Sequence, residues 1–374
     1  MAERKKIPLI RPHISERVKK RVLRVLESGF LTEGEVTKQF EEKVRDYVGA
    51  TYAIAVNSCT TGLELALRAL KIGPGDEVVV PDFTYPATAS VVSVVGATPV
   101  LVDISRETML INYDRLEEAI TGRTKAVIPV SLFGNPLDYD RLNNIKKRYE
   151  LYIIEDAACA LGASYKNKMV GTLADITVFS FHPRKFITTG EGGMITTDNK
   201  KWAQWIRSYK HFGIGDYKAP RAETMFEIIG TNYKMSDVQA AIGLEQMKII
   251  DTMLARRRKL AERYFSLLSD LDGVAMPRTT DKGMHSYQSF CVYVKSRDTV
   301  MKRMRKAGIE VQIGTYALHT QPAFAQFADT SKHGPFTGST FSFSSCLTLP
   351  LYHQLKKEDQ LRVVKTLEKS LTAL

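Results

Sequence analysis

The stretch Phe179-Ser180-Phe181-His182-Pro183-Arg184-Lys185-Phe186-Ile187-Thr188-Thr189-Gly190-Glu191-Gly192-Gly193 places a lysine between an apolar strand and a glycine turn. Residues 176–181 predict a buried strand, and residues 193–196 predict the next one. An amine held at such a point can condense with an aldehyde, so Lys185 is a candidate for covalent chemistry. Because a lysine beside a glycine turn is more often solvated than catalytic, the rest of the chain decides between the two.

Short apolar runs alternate with helical patterns on the N-terminal side of this stretch. The runs that predict strands cover residues 52–56, 77–81, 98–102, 126–130 and 152–154. The patterns that predict helices cover residues 22–30, a helix opening at Gly34, and residues 63–70, 87–95, 116–120 and 140–149. Residues 57–62 predict a polar turn. Strands that are apolar throughout and separated by helices predict an α/β fold, with a mostly parallel sheet sandwiched by helices.

The pattern of residues changes after Gly230. The elements predicted there are a helical pattern over residues 236–250 that continues to residue 268, a strand at 289–294, a helix at 299–306 and a C-terminal amphipathic helix. These elements predict a smaller α+β domain. We therefore expect a large domain over residues 1–250, N-terminal helices included, and a small C-terminal domain over residues 251–374.

The composition restricts the partners of the chain. It has 374 residues, of which 44% are hydrophobic and 25% charged, and a formal net charge of +12. No apolar run reaches the length of about 20 residues that spans a bilayer, so we expect a cytoplasmic protein with no membrane partner. The basic residues at 4–24 and 256–259 are interpreted as solvated helix faces, because no nucleic-acid-binding motif accompanies them. The four scattered cysteines predict neither a metal site nor disulfides.

Several polar residues follow predicted strands, and open α/β sheets hold ligands at the carboxyl ends of their strands. Asp156 follows the strand at 152–154, where a carboxylate would keep the ring nitrogen of pyridoxal phosphate (PLP) protonated. A helix cap or a salt bridge is the ordinary alternative for this residue. Tyr85 would stack on the flat ring of the cofactor or else pack in the core. With Lys185, these residues point to a PLP site.

A phosphate site is predicted at the polar turn. Ser58, Thr60 and Thr61 open a helix there, and their amides and hydroxyls would bind a phosphate or merely cap the helix. Ser180 would add a hydroxyl to the site, or be satisfied at its own strand end. A nucleotide loop is disfavoured, because the chain has no GxxxxGK(S/T) motif and the glycines at 190–193 precede a strand and do not match GxGxxG.

The order of these motifs resembles that of the DegT/DnrJ/EryC1/StrS sugar aminotransferases, which are fold type I PLP enzymes similar to aspartate aminotransferase. The resemblance covers nearly the whole chain, and its most specific part runs from the lysine to the glycine turn. The motifs that carry it are Ile7-Pro8-Leu9-Ile10-Arg11-Pro12, Asn57-Ser58-Cys59-Thr60-Thr61-Gly62-Leu63, Pro74-Gly75-Asp76-Glu77-Val78, Ile154-Glu155-Asp156-Ala157-Ala158, Ser180-Phe181-His182-Pro183-Arg184-Lys185, Thr189-Gly190-Glu191-Gly192-Gly193, Gly230-Thr231-Asn232-Tyr233-Lys234-Met235 and Leu349-Pro350-Leu351-Tyr352.

The resemblance implies roles around the cofactor ring. Lys185 would bond covalently to PLP and later carry a proton, Asp156 would pair with the ring nitrogen, and Tyr85 would stack on the ring. The chain departs from the family at Cys159, which stands where His or Gln is usual near the ring oxygen. A thiol is a weak donor, so the hydrogen bond at this point is the least secure of the set.

The resemblance also implies how the phosphate is held. Ser58, Cys59, Thr60 and Ser180 would bind it from one subunit, and Asn232 would reach it from the partner subunit of a homodimer with shared active sites. Cys59 stands where the family usually has glycine, so a side chain is added to a tight turn while the amide stays available.

The activity implied is transfer of an amino group, from L-glutamate, to a nucleotide-linked keto sugar, which gives an amino sugar. Related sugar dehydratases replace the lysine by histidine, so Lys185 argues against that alternative, and a non-catalytic regulatory protein on the same fold is a further one. The substrate is expected to contact the loops at 212–227 and 311–321. Tyr316 and His319 are candidates for this contact, with packing as the alternative.

Overall fold

The computed structural model describes residues 6–215, 220–328 and 334–372, with the backbone alone at Arg221. The strands are β1 (Tyr52–Val56), β2 (Glu77–Pro81), β3 (Phe83–Thr84), β4 (Thr98–Val102), β5 (Thr124–Val127), β6 (Tyr152–Asp156), β7 (Ser164–Tyr165), β8 (Lys168–Met169), β9 (Ile176–Ser180), β10 (Gly193–Thr197), β11 (Val274–Ala275), β12 (Gly283–Met284), β13 (Phe290–Val294), β14 (Gln312–Ile313), β15 (Tyr316–Ala317) and β16 (Cys346–Leu349). The α-helices are α1 (Glu16–Ser28), α2 (Glu35–Val48), α3 (Cys59–Ala69), α4 (Ala87–Val94), α5 (Tyr113–Glu118), α6 (Tyr139–Tyr149), α7 (Lys200–Tyr209), α8 (Asp237–Met247), α9 (Ile250–Leu268), α10 (Arg297–Lys306), α11 (Thr337–Ser345) and α12 (Lys357–Thr372).

The central sheet has seven strands in the order β1-β10-β9-β6-β5-β2-β4. Strands β4, β2, β5, β6 and β9 are parallel to one another. Strands β10 and β1 join antiparallel at one edge. The predicted α/β fold with a mostly parallel sheet is therefore confirmed.

Alternate residues of the strands pack into two hydrophobic cores, one on each face of this sheet. On β2, Val79 packs into one core together with Val127, whereas Val78 and Val80 pack into the other together with Ile154. Helices α2, α6 and α8 cover the first face, and α3, α4 and α7 cover the second. Because both faces are covered, the strands read as continuous apolar runs in the sequence.

A smaller sheet lies in the C-terminal part, with the order β11-β13-β16-β14. Helices α9, α10 and α12 pack with it into a third hydrophobic core. Ile7 belongs to this core and pairs with Ile309, so the start of the described chain packs against the C-terminal elements. In the opposite direction, β15 returns to pair with β3. The predicted domain boundary at residue 250 stays a prediction. The segment around Ile7 and strand β15 each pack against elements on the other side of that boundary.

Several elements differ from the sequence prediction. The helical pattern over 236–268 is two helices, α8 and α9, separated at Lys248 and Ile249. Helix α3 already begins at Cys59, because Ser58 caps it and shortens the predicted turn. Helix α1 begins at Glu16 rather than at residue 22. Helix α7, which was not predicted, is mostly polar outside its buried face.

The described residues were searched for membrane-spanning helices and for metal sites. None of the helices described is long and apolar enough to cross a bilayer. Within the same residues, no group of His, Cys, Asp and Glu side chains is arranged to hold a metal ion. The cytoplasmic location stays a prediction.

Candidate active site

The predicted cofactor residues lie around one end of the parallel strands. Asp156 is the last residue of β6 and Ser180 the last of β9, and because these neighbouring strands are parallel, both ends lie at the same edge of the sheet. The chain then turns through residues 181–192, which include Lys185, and enters β10 at Gly193. Gly193 pairs with Ser180 across the two strands. The stretch quoted at the outset is thus a loop between two adjacent strands.

The amine of Lys185 lies beside the loop that follows β6. Its Nζ is 3.1 Å from the Sγ of Cys159, three residues beyond Asp156. Burial works against a charge on this amine, but the neighbouring Cys159, Cys59 and Asp156 together raise the pKa of Lys185 above its usual value. The amine therefore rests in its protonated form and must lose a proton before it can act as a nucleophile.

The carboxylate of Asp156 is buried and accepts two hydrogen bonds. The Thr88 hydroxyl donates to Oδ2 at 2.8 Å, and the Ala158 N–H donates to Oδ1 at 3.1 Å. Burial raises the pKa of Asp156, and the two hydrogen bonds and the charge of Lys185 oppose that shift. A protonated nitrogen of a cofactor ring is a partner that would stabilise this buried charge.

Thr88 is a residue of this site that the sequence reasoning missed. It lies in the first turn of α4, fully buried, and its hydroxyl is 3.0 Å from that of Thr84 as well as bonded to Asp156. The available signal was a threonine between a strand end and a helix. Because threonines at helix starts usually serve as caps, the sequence did not distinguish a helix cap from a hydrogen-bond donor to Asp156.

Helix α3 offers free backbone amides at its start. The Ser58 hydroxyl acts as the cap and accepts the Thr61 N–H at 3.1 Å. The amides of Cys59 and Thr60 have no hydrogen-bond partner in the described parts of the chain, and they carry the positive end of the helix dipole. The Cys59 thiol lies 3.8 Å from the Val178 carbonyl, so the added side chain faces the sheet and leaves the amide free. This arrangement fits a phosphate group.

Gly193 brings the start of β10 against the same helix. A Cβ at this position would lie 2.7 Å from the Cys59 nitrogen and 2.7 Å from the Ser58 carbonyl oxygen. Only glycine allows this approach. Since Gly193 also pairs with Ser180, it joins the end of β9 to the start of α3. Three predicted phosphate residues, Ser58, Cys59 and Ser180, are thereby brought together.

We expect Gly193→Ala to weaken PLP binding by roughly 1–3 kcal/mol, which is the usual cost of inserting a methyl group into a packed region. The methyl group would push the start of α3 away from β10 and move its free amides. The dissociation constant for PLP, measured by absorbance, tests this. Gly122→Ala is the matched control, because a Cβ there meets no atom within 4 Å. An unchanged constant in Gly193→Ala would contradict the phosphate assignment.

The two predicted aromatic residues lie together on the surface. Tyr85 is 66% exposed, so it does not pack in the core. Its ring centroid lies 6.4 Å from that of Tyr316, which the pairing of β15 with β3 holds opposite Thr84. Both rings are available to a ligand. Of the substrate loop predicted at 212–227, residues 216–219 lie outside the described residues.

His319, the other substrate candidate, is engaged within the protein. Its Nδ1 is 2.6 Å from the Oδ2 of Asp82, and its own N–H donates to the Oδ1 of the same carboxylate at 2.7 Å. The ring stacks on Phe336, with centroids 4.8 Å apart. Its Nε2 lies 3.3 Å from the Thr340 hydroxyl. His319 therefore ties three segments together, and its contact with substrate stays a prediction.

Asn232 is exposed, and within the described residues its hydrogen bonds are not to the lysine loop. Its Oδ1 accepts the Lys234 Nζ at 2.7 Å, and its backbone forms a bridge with His211. The next residue, Tyr233, accepts the Asn57 N–H through its carbonyl at 3.0 Å, which fixes the segment beside the polar turn. The side chain is thus presented at the surface, where a second subunit could meet it.

A lysine in a loop between two strands, a buried carboxylate at the neighbouring strand end and free amides at a helix start together define a fold type I PLP enzyme. The family model of the DegT/DnrJ/EryC1/StrS aminotransferase family matches residues 12–368, and the chain belongs to this family. It is a PLP-dependent sugar aminotransferase. The predictions of family, fold class, enzyme class and cofactor are confirmed.

Similar proteins cover the chain almost from end to end. The GDP-perosamine synthase of Caulobacter vibrioides is 37% identical, over 99% of this chain and 100% of its own. The spore coat polysaccharide biosynthesis protein SpsC of Bacillus subtilis is 36% identical, over 94% of both chains. Spr1654 of Streptococcus pneumoniae, described as a sugar aminotransferase and solved in its PMP form, is 31% identical with a TM-score of 0.92, over 99% of this chain and 100% of its own.

Proposed function

We propose that this aminotransferase moves the amino group of L-glutamate to a nucleotide-linked keto sugar and so produces an amino sugar. The observation that carries the proposal is the buried Asp156 carboxylate beside the loop amine of Lys185, in a chain that aligns along its whole length with a GDP-perosamine synthase. The name of that relative supports a sugar linked to a nucleotide, and the name of SpsC supports a role in polysaccharide biosynthesis. L-Glutamate as donor rests on the family resemblance.

The residues present fit PLP. The amides of Cys59 and Thr60, with Ser180, would hold the phosphate, Tyr85 would cover the ring, and Cys159 would lie near the ring oxygen. When bound, PLP supplies an electron sink that makes the proton on the amine-bearing carbon of the donor removable. Asp156 would keep a proton on the ring nitrogen, because a buried carboxylate is stabilised by a cationic partner.

Lys185 is the proton carrier of both halves of the reaction. When it is not bonded to PLP, the Lys185 amine would be a base placed within the site, where it would carry a proton from one carbon to another. Cys159, at 3.1 Å from Nζ, gives the amine a resting partner that is only weakly bound. The half-buried position of Lys185 limits the access of water to the proton in transit.

We also propose a homodimer with shared active sites, in which Asn232 completes the phosphate site of the partner. Large apolar side chains stand exposed on the single chain, with Phe30 81% and Ile229 96% accessible. Ile229 shares its segment with Met225 and Phe226, which are 71% and 65% exposed, and several large apolar side chains exposed together are typical of a surface that another molecule covers. Ile229 lies three residues before Asn232 and so supports an interface at this segment.

The expected outcome with substrates is preference for a keto sugar that carries a nucleoside diphosphate. Purified holoenzyme with L-glutamate is offered a panel of such sugars and the corresponding free keto sugars, and 2-oxoglutarate and amino sugar are measured. The nucleotide-linked form should gain about tenfold or more in kcat/KM, since each tenfold represents about 1.4 kcal/mol of binding. Equal rates with the free sugars would contradict the nucleotide assignment, and no glutamate consumption with any sugar would contradict the donor.

A further inference from the structure

Two buried glutamines from outside the lysine loop bind its backbone. The Gln288 Oε1 accepts the Phe186 N–H at 3.0 Å, and its Nε2 donates to the Arg184 carbonyl at 2.7 Å. In the same manner, the Gln246 Oε1 accepts the Thr188 N–H at 3.3 Å and its Nε2 donates to the Thr188 carbonyl at 2.6 Å. Each side-chain amide thus pairs with one backbone donor and one backbone acceptor of the loop, and the Gln246 Nε2 also donates to the Ile242 carbonyl at 3.1 Å.

Gln288 binds the two peptide groups on either side of Lys185. The Arg184 carbonyl belongs to the peptide group before the Lys185 Cα, and the Phe186 N–H belongs to the one after it. Fixing both peptide groups fixes the two backbone dihedral angles of Lys185, which set the direction in which its side chain leaves the loop. The Lys185 N–H donates to the His182 carbonyl at 2.8 Å and closes the loop from the inside.

The loop needs such bonds from outside because it has no regular structure of its own. Residues 181–192 form neither helix nor strand, so beyond isolated bonds such as that from the Phe181 N–H to the Gly192 carbonyl, their backbone groups lack a regular ladder of hydrogen bonds. Gln288 is only 4% exposed, so water does not compete for its amide. A buried amide that lost one of these partners would leave an unsatisfied group, which costs about 1–3 kcal/mol.

Gln288 is in turn held by Arg257 of α9. The Arg257 Nη2 donates to the Gln288 carbonyl at 2.7 Å, and its Nε donates to the Tyr287 carbonyl at 2.8 Å. The guanidinium carbon lies 5.5 Å from the ring centroid of Phe186. Arg257 therefore contacts both sides of the bond between Gln288 and the lysine loop, and it is itself buried.

We propose that Gln288 is a positioning residue for Lys185: its side-chain amide holds the two peptide groups that flank the lysine and so keeps the amine at the one place where it captures the cofactor and carries the proton. The inference rests on the proposed role of Lys185. Gln246 supports the far end of the same loop. Gln288 does not touch Nζ, and it acts through the backbone alone.

The test compares Gln288→Leu with Gln360→Leu. The first keeps the volume of the side chain and removes both hydrogen bonds to the loop. The control removes an equally buried amide, which donates to the Leu260 carbonyl at 2.8 Å in the C-terminal core. Both variants should lose stability, and their free energies of unfolding are measured first. The diagnostic measurement is the rate at which the cofactor-free protein forms its covalent bond to PLP, followed by visible absorbance and confirmed by borohydride reduction and mass spectrometry.

We expect Gln288→Leu to slow this capture and kcat by about 10- to 100-fold, which is the scale of an error of about 1 Å in placing a catalytic group. KM for the substrates should change far less, and Gln360→Leu should behave like the natural protein. Equal capture rates in the two variants would overturn the proposal, because the effect of Gln288 would then be stability alone. Should Lys185→Ala itself remain active, the proposed role of Lys185 fails instead, so the two failures are distinguishable.

Gln288→Glu adds a measurement that a merely structural role would not move. A protonated carboxyl has one O–H donor and one acceptor, as the amide does, whereas the ionised form cannot donate to the Arg184 carbonyl. The capture rate of this variant, relative to the natural protein, should therefore rise as pH falls. A ratio that is independent of pH would contradict the need for a donor at this point.

Discussion

Replacing Lys185 by alanine is expected to abolish transamination and the covalent retention of PLP. The loss in kcat/KM should exceed the factor of about 10²–10⁴ that general acid–base catalysis alone supplies, because we also assign to this amine the covalent bond to the cofactor. Stability should change little, since within the described residues the amine makes a single hydrogen bond, to the weakly accepting Cys159 thiol at 3.1 Å. The measurements are glutamate consumption, the visible spectrum of the purified protein and the free energy of unfolding.

Lys166→Ala is the control for loss of a lysine. Its Nζ pairs with Asp140 at the surface, and both side chains are about half exposed, so full activity is expected.

Mixing the inactive Lys185→Ala variant with an Asn232→Ala variant tests the shared site. A mixed dimer would contain one site with both residues intact, so activity should return on mixing. Activity that survives Lys185→Ala alone would contradict the role of the lysine, and failure to recover on mixing with Asn232→Ala would contradict the shared site.

Asp156→Asn should lower kcat/KM by roughly 10²–10³-fold, the usual effect of removing one electrostatic partner from an active site. The amide keeps the shape of the side chain, and its single oxygen can still accept the Ala158 N–H. Its NH2 group would face the Thr88 hydroxyl as a donor, and the side chain carries no charge. The ring nitrogen would lose its proton, and the electron sink would weaken. Because Lys185 is untouched, the variant should still bind PLP covalently, which the visible spectrum reports. Activity near the natural level would contradict the pairing of Asp156 with the ring nitrogen.

Thr88→Val tests the same carboxylate with a smaller expected loss of activity than Asp156→Asn. It removes the hydroxyl that donates to Asp156 at 2.8 Å, a bond that favours the charged carboxylate. The pKa of Asp156 should therefore rise further, and the ionised fraction should fall as pH decreases. We expect a loss of about 1.5–3 kcal/mol of charge stabilisation at most. The defect in kcat/KM relative to the natural protein should grow toward low pH, and a defect that grows toward high pH would contradict this account.

The central sheet was predictable because strands that are buried on both faces appear in the sequence as continuous apolar runs. Each strand of the parallel sheet reads as a short apolar run, and the helices between them carry polar faces. The break between α8 and α9 was not predictable, since the helical pattern continues through Lys248 and Ile249. The return of β15 to β3 was also hidden, because a pair of two-residue strands leaves no periodicity to detect.

The site divides in the same way. The sequence predicted four of the site residues from their types at strand ends and helix starts, where the backbone geometry follows from local sequence. These residues are Lys185, Asp156, Ser58 and Ser180. Thr88 was not among them, because its role depends on a contact across 68 positions of the chain. Gln288 was not either, since it reaches the lysine loop from 104 positions away. Such side chains carry no local pattern that distinguishes them from ordinary polar residues.

The sequence by itself determined the α/β class and the family, and it singled out the lysine to which we assign the chemistry, because each follows from local periodicity or from residue types in a fixed order. Only the tertiary structure decided how that lysine is held. Its amine lies beside Cys159, its carboxylate neighbour is fixed by Thr88, and its backbone is bound by two buried glutamines. These contacts join segments far apart in the chain, so they exist only once the sheet has folded and brought its strand ends together.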